Sequence, residues 1–235
     1  MNDRAERQRE FVERWEALLP PTSGAWVQKR RLATAMRRVI SRLVQSNAPE
    51  SELRGAADAL ERYSTRLATH PRLRREDRDT EAPADPDVGT FVDQSPLTGM
   101  ANPLAPPIVL QEEDEWRVVG RVRYGAAYEG PPGCVHGGFI AAAFDEVLGF
   151  VQGMSGETGF TGTLTVRFRS PAPLHRELRL VGEIVRVSGR KIFTEGRMLA
   201  GDLLCAESEG LFITPHPEQY QRMVEARLRS ANRGE

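Results

Sequence analysis

Residues 133–149, Gly133-Cys-Val-His-Gly-Gly-Phe-Ile-Ala-Ala-Ala-Phe-Asp-Glu-Val-Leu-Gly149, decide how the chain is read. From Phe139 to Val151 the only charged residues are Asp145 and Glu146, while Phe139, Ile140, Phe144, Val147, Leu148, Phe150 and Val151 fall on every face of a helix. A helix that is apolar all round is expected inside a core. A carboxylate in such surroundings is costly unless it is paired, hydrated or hydrogen-bonded, so Asp145 needs a partner, water access or a chemical role.

Around this stretch the chain has 235 residues, of which 40% are hydrophobic. That is enough for one packed core with an addition. The 32 basic and 33 acidic residues leave a net charge of −1, which argues against a general nucleic-acid binder. The start, Met-Asn-Asp-Arg-Ala-Glu-Arg, has no apolar signal core, and no span approaches the ~20 apolar residues of a membrane helix. The expectation is a cytoplasmic protein with no membrane span and no nucleic-acid partner. His70, His136, His175 and His216 are scattered without ligand-like spacing, so no metal site is expected.

Residues 1–70 read as a helical extension. Trp15, Leu18 and Leu19 end a first short helix, stopped by Pro20 and Pro21. Leu32, Met36, Val39, Ile40 and Leu43 form one stripe on a helix from about Ala25 to Gln45. A third helix starts near Pro49 with Leu53, Ala57, Leu60 and Leu67 on one face. The second and third helices are expected to pair as an antiparallel hairpin. The middle helix carries Lys29, Arg30, Arg31, Arg37, Arg38 and Arg42 with no acid between Ala25 and Pro49; a solvated face is expected, and a phosphate or membrane surface is the alternative. Residues 71–97, with Pro71, Pro83 and Pro86 among charged residues, read as a linker.

Beyond the linker, 98–215 reads as the main domain and 216–235 as a helical tail. Trp116–Tyr124 alternates with period two, as a half-buried strand does. After the central helix come strand candidates at 161–169, 178–187, 191–199 and 203–213, separated by Pro171-Ala-Pro173, Ser188-Gly189 and Gly201-Asp202. One strand, one buried helix and four strands imply an α+β fold in which an antiparallel sheet wraps the helix.

Gly133-Cys-Val-His136-Gly137-Gly138, Asp145 nine residues after the histidine, Thr161–Pro171, Gly189-Arg190-Lys191 and Ala206–Phe212 together resemble a hotdog-fold acyl-CoA thioesterase of the phenylacetate-pathway (PaaI-like) group, which includes the thioesterase-superfamily-member proteins. The resemblance runs from about Ser95 to Pro215 and leaves the N-terminal helices unaccounted for. It implies hydrolysis of acyl-CoA, with CoA as part of the substrate and no separate cofactor. It also implies a homodimer, or a homotetramer built from two, in which different subunits supply the oxyanion glycine and the acid. Thr161 matches the position that orients the carboxylate or its water, and His136 the histidine beside the thioester carbonyl. Some members carry an asparagine six residues before that histidine, where this chain has Gly130.

Physical chemistry points the same way. Two glycines at a helix start admit a ligand closely, and the unpaired first-turn N–H groups favour negative charge there. Gly137 N–H is the first candidate for the oxyanion donor and Gly138 the second. Asp145 lies eight residues on from Gly137, roughly 12 Å along the axis at ~1.5 Å per residue. One helix therefore cannot present both groups to one carbonyl carbon, whereas two antiparallel helices across a two-fold axis can. Asp145 would act as nucleophile or as base on water. Glu146 is the alternative acid, less favoured by spacing, and a Cys134–His136 thiolate pair lacks an orienting third group. Arg169, Arg190 and Lys191, with Arg167 and Arg186 behind them, are candidates for the CoA phosphates. A non-catalytic acyl-CoA or acyl-carrier-protein binder is the alternative on this fold, and an interaction protein working through the basic helix is a third.

Overall fold

The computed structural model describes residues 24–71, 93–114, 116–157 and 159–216, together with 218 and 222. The expected first helix near Trp15, most of the expected linker and nearly all of the expected C-terminal tail lie outside these residues. Two helices come first, α1 (Gly24–Leu43) and α2 (Glu50–Leu67). Strands β1 (Val109–Asp114) and β2 (Arg117–Arg123) follow, then a single 3-10 turn at Ala126–Tyr128 and α3 (Gly137–Gly153). The chain then runs through β3 (Phe160–Phe168), β4 (Glu177–Ser188), β5 (Lys191–Ala200) and β6 (Leu203–Ile213). The strands make one antiparallel sheet in the order β1-β2-β4-β5-β6-β3, wrapped against α3. This is the α+β hotdog arrangement, with one strand more than expected.

The extra strand is β1. Its last four residues, Gln111-Glu-Glu-Asp114, are polar and sit at the sheet edge, where one face and one side meet water, so alternation is weak. Elsewhere the pleat is read directly in burial: Ile192, Thr194, Gly196 and Met198 of β5 point inward, as do Ala206, Ser208, Gly210 and Phe212 of β6. A trough of glycines lets α3 approach the sheet. Gly182 and Gly196 are directly paired on β4 and β5. A Cβ at Gly182 would lie 2.9 Å from Val147 Cγ1, and one at Gly196 would lie 3.0 Å from Phe144 Cδ1. Gly120 and Gly210 on flanking strands are equally close to Val147 and Leu148 side chains, at 3.0 and 3.2 Å. Phe144, Val147, Leu148 and Val151 fill this trough and are wholly buried.

The front helices depart from expectation. α1 buries only Ala33, and α2 buries nothing. No hairpin seam forms between them: Met36, Val39 and Leu43 of α1, and Leu53, Leu60 and Leu67 of α2, remain exposed. α1 docks instead through the neighbouring face, and its anchor is the buried Asp93. Trp26 Nε1 and Arg30 Nε donate to Asp93 Oδ2 at 2.6 and 2.7 Å, and Met100 N donates to Oδ1 at 3.2 Å. Arg37 Nη1 donates to Asn102 O at 2.7 Å and Nη2 to Thr34 Oγ1 at 2.8 Å. Two of the six cations on this helix are thus spent on structure. The last five residues of the expected linker are likewise part of a packed loop, with Leu97 against the core. Among the described residues no helix is long and apolar enough to cross a membrane.

Candidate active site

His136 is the N-cap of α3, with extended backbone dihedrals and its Nδ1 accepting Gly138 N–H at 3.0 Å. Its backbone N–H donates to Tyr128 O at 2.9 Å. The histidine therefore fixes the helix start, as a capping side chain does. This bond also occupies the Gly138 amide, the second oxyanion candidate. Gly137 N–H has no acceptor among the described residues. The ring of Phe168, from the end of β3, lies over Gly137, so that a Cβ there would come within 3.2 Å of Cζ. Gly130 leaves no room for a side chain: a Cβ there would sit 2.7 Å from His136 Cα. A side chain at 130 therefore cannot donate to a carbonyl here, which leaves backbone N–H groups and the His136 Nε2–H as the donors of this corner.

Asp145 corrects an expectation of burial. It is exposed within the chain, because α3 buries one side against the sheet and its other flank stays open beside edge strand β3. Thr161 Oγ1 donates to Asp145 Oδ1 at 2.9 Å. Thr161 stands where β3 bulges against β6, between Thr161 and Thr163, which locally re-aims the strand. Glu146 faces the other way. Its Oε1 accepts from Ser95 Oγ at 3.1 Å and Thr98 Oγ1 at 3.0 Å, and burial pushes its carboxyl above the usual range, with Asp145 adding to the rise. The two adjacent acids are therefore divided by environment, one tied into a loop and one open to a ligand.

The remaining candidates are spread along the sheet. Arg169 lies at the Gly137 end, held by Glu207 at 2.7 Å, and Arg167 is paired with Glu209. Arg186 stacks on Phe193 with its guanidinium 4.2 Å from the ring centre. Arg190 and Lys191 sit exposed at the β4–β5 turn, next to Gly189 with φ of 57°, and have no ion pair among the described residues. Lys191 registers with Ile213, which registers with Phe160, so this turn lies at the Asp145–Thr161 end of the sheet. Asp145 and Thr161 are thus brought together, while Gly137 and Asp145 are held apart on one helix. Of the phenylalanines, Phe144 is core, Phe160 is exposed, and Phe139 packs edge-on to Tyr128 with ring centres 4.8 Å apart. Ser95 and Thr98 went unrecognised because they reach Glu146 from about fifty residues away in sequence. No group of three His, Cys, Asp or Glu poised for a metal occurs among the described residues.

A model of the thioesterase superfamily matches residues 132–206, which include Gly137, Asp145 and Thr161. A solved thioesterase superfamily protein is 34% identical, matches 83% of this chain and 97% of its own, and superposes with a TM-score of 0.69. The chain belongs to the thioesterase superfamily. Among curated superfamily relatives, the acyl-coenzyme A thioesterase THEM4 of Bos taurus is 31% identical over 114 residues, 48% of this chain and 47% of the relative. THEM4 of Xenopus laevis is 34% identical over 101 residues, 42% of this chain and 46% of the relative. The chain thus spans about half the length of these curated relatives.

Proposed function

We propose that this thioesterase-superfamily chain hydrolyses acyl-CoA thioesters to a free acid and CoA, at sites shared between two subunits. One observation carries the reading: α3 offers an amide with no acceptor at its start and an open, hydroxyl-oriented carboxylate two turns later. Neither half is a catalyst alone. Antiparallel apposition of two α3 helices places Gly137 of one subunit across from Asp145 of the other. The exposed edge strand β3, with Phe160 40% and Phe168 57% accessible, is the surface such a partner would cover. A homodimer, or two dimers as a tetramer, follows from the chemistry.

In the base route, Asp145 takes a proton from water, and the hydroxide adds to the thioester carbonyl. The oxyanion is held by Gly137 N–H, a donor typically worth ~3–4 kcal/mol in the transition state. Collapse breaks the C–S bond, and the proton returns from Asp145 to the CoA thiolate. In the nucleophile route an Asp145 oxygen adds to the thioester carbonyl, collapse breaks the C–S bond and leaves a mixed anhydride, and water opens it at the Asp145 carbonyl, which frees the acid, restores the carboxylate and gives a proton to the CoA thiolate. Single-turnover hydrolysis in 18O-water separates them, since only the second delivers a carboxylate oxygen of the protein to the product. Arg190 and Lys191 are assigned to the CoA phosphates on their exposure and on having no ion pair among the described residues. No cofactor is assigned besides the CoA of the substrate.

The test is thiol release from short, medium, long and aromatic acyl-CoAs, with Asp145→Asn alongside. Loss of ~100-fold or more in kcat for the variant supports the reading; equal turnover by both proteins removes it. The second reading, a non-catalytic acyl-CoA or acyl-carrier-protein binder, draws on Gly130, whose tight fit rules out a side-chain donor at that position. It requires ligand binding with no turnover in either protein.

A further inference from the structure

Asp145 and Glu146 follow one another on α3, about 100° apart around its axis, and each is tied from a different side. From β3, Thr161 Oγ1 donates to Asp145 Oδ1 at 2.9 Å. From the loop ahead of β1, Ser95 Oγ and Thr98 Oγ1 donate to Glu146 Oε1 at 3.1 and 3.0 Å. The glycine trough beneath sets how deep the helix lies, but apolar packing is non-directional, whereas hydrogen bonds are strict in angle as well as distance. The two polar ties therefore decide how α3 is rolled about its own axis. At about 6 Å from that axis, a roll of about 10° carries the Asp145 carboxylate about 1 Å, a misplacement large enough to cost ~100-fold in rate.

The tie to Glu146 is stiff. Ser95 Oγ accepts the backbone N–H groups of Leu97 and Thr98 at 3.1 and 3.2 Å, and Ser95 O accepts Gly99 N–H at 3.1 Å. Gly99 lies so close to the start of this turn that a Cβ there would sit 2.5 Å from both Asp93 O and Ser95 O, backbone atoms that cannot step aside. Asp93 O accepts Ala101 N–H at 2.9 Å, which closes the segment 93–101 on itself. The outer end of the segment is pinned by the buried Asp93 carboxylate, shared by Trp26 and Arg30 of α1 and the Met100 amide. A hydrogen-bonded segment thus connects α1 to the residue beside Asp145. Both α1 and this segment precede residues 132–206, so the superfamily match does not account for the connection.

We propose that Asp93, Ser95, Thr98 and Glu146 are positioning residues for hydrolysis: α1 braces the segment 93–101, the segment fixes Glu146, and Glu146 sets the roll of α3 that aims Asp145. The inference rests on Asp145 being the acid of the reaction proposed above. It gives the front helix a part in turnover without contact with substrate.

The test is steady-state thiol release by the full chain, on the acyl-CoA of the panel that wild type turns over fastest, with Asp145→Asn as control. Thr98→Val keeps the shape and removes one donor, so kcat should fall roughly tenfold while KM stays within about twofold. Thr98→Ser, which keeps a hydroxyl, should recover most of the loss. A tie that served stability alone would lower the melting temperature and leave kcat of the folded protein unchanged. The second measurement is a double-mutant cycle: Asp93→Asn should lower kcat in wild type and have no further effect once Glu146→Leu has removed the acceptor. Equal losses in both backgrounds, or none in either, overturn the proposal. If Glu146→Leu does not fold, the two Thr98 variants decide alone. Unchanged kcat in Thr98→Val, with turnover still lost in Asp145→Asn, overturns the brace and leaves hydrolysis standing. Absence of turnover in wild type, or equal turnover by Asp145→Asn, overturns both.

Discussion

Gly196→Ala is the sharpest test of how α3 is seated. The added methyl would lie 3.0 and 3.1 Å from Phe144 Cδ1 and Cε1 and 3.3 Å from Leu148 Cδ2. Ordinary carbon contacts begin near 3.5 Å, so the ring or the helix must give by about half an ångström. Both are wholly enclosed, and α3 lies as close to Gly182 on the paired strand, where an added Cβ would come 2.9 Å from Val147 Cγ1. Overpacking of this kind costs about 1–3 kcal/mol, and at roughly 2–4 °C per kcal/mol for a chain of this size the melting temperature should fall by about 2–12 °C. The assay is thermal unfolding at fixed protein concentration. Phe144→Leu removes the ring atoms in contact, so the double variant should recover part of the loss, with a coupling on the order of 1 kcal/mol. Since Asp145 follows Phe144, turnover should fall as well, by up to ~100-fold for a displacement near 1 Å. An unchanged melting temperature, or additive single effects, would refute the trough as the feature that sets helix depth.

Thr161→Val removes the donor to Asp145 while keeping the shape. A bond to a charged group is worth about 1.5–3 kcal/mol, so kcat should drop ~10–100-fold, with the melting temperature held because Thr161 is exposed. Glu146→Gln keeps an acceptor for Ser95 and Thr98 and removes the titration. Because burial raises the folded carboxyl above its unfolded value, the native state binds more protons, and wild-type stability falls as pH rises through that window. The variant should lack this fall, gaining on wild type in thermal melts as pH rises through that window; a constant gap would sink the assignment. Asp93→Ala removes the acceptor shared by Trp26, Arg30 and the Met100 amide, and should cost ~3 kcal/mol by denaturant unfolding, with early tryptic cleavage in α1.

The central helix and five of the six strands were legible because their signals are local: a run of apolar residues, period-two alternation and turn residues at 188–189 and 201–202. β1 was not, since an edge strand ending Glu112-Glu-Asp114 carries the composition of a loop. Among site residues, the Thr161–Asp145 contact was foreseen from the match of motifs. The division of labour between Asp145 and Glu146 was not, since it depends on Ser95 and Thr98, whose turn gives no sign of where it will be carried. The capping of Gly138 by His136 was also out of reach, because a side-chain rotamer decides which amide is left over. The α1 stripe was correctly seen as apolar and wrongly buried; hydrophobic spacing marks a face that wants a partner without saying which molecule supplies it.

Phe168 above Gly137 has a consequence for descent. What meets a Cβ at 137, at 3.2 Å, is the tip of a ring from a strand about thirty positions later, and that ring is 57% exposed and must yield by a few tenths of an ångström, so the two sites form one steric unit. Lineages that admit alanine at 137 should show a turned ring or a smaller residue at 168, so substitutions at the pair should be coupled.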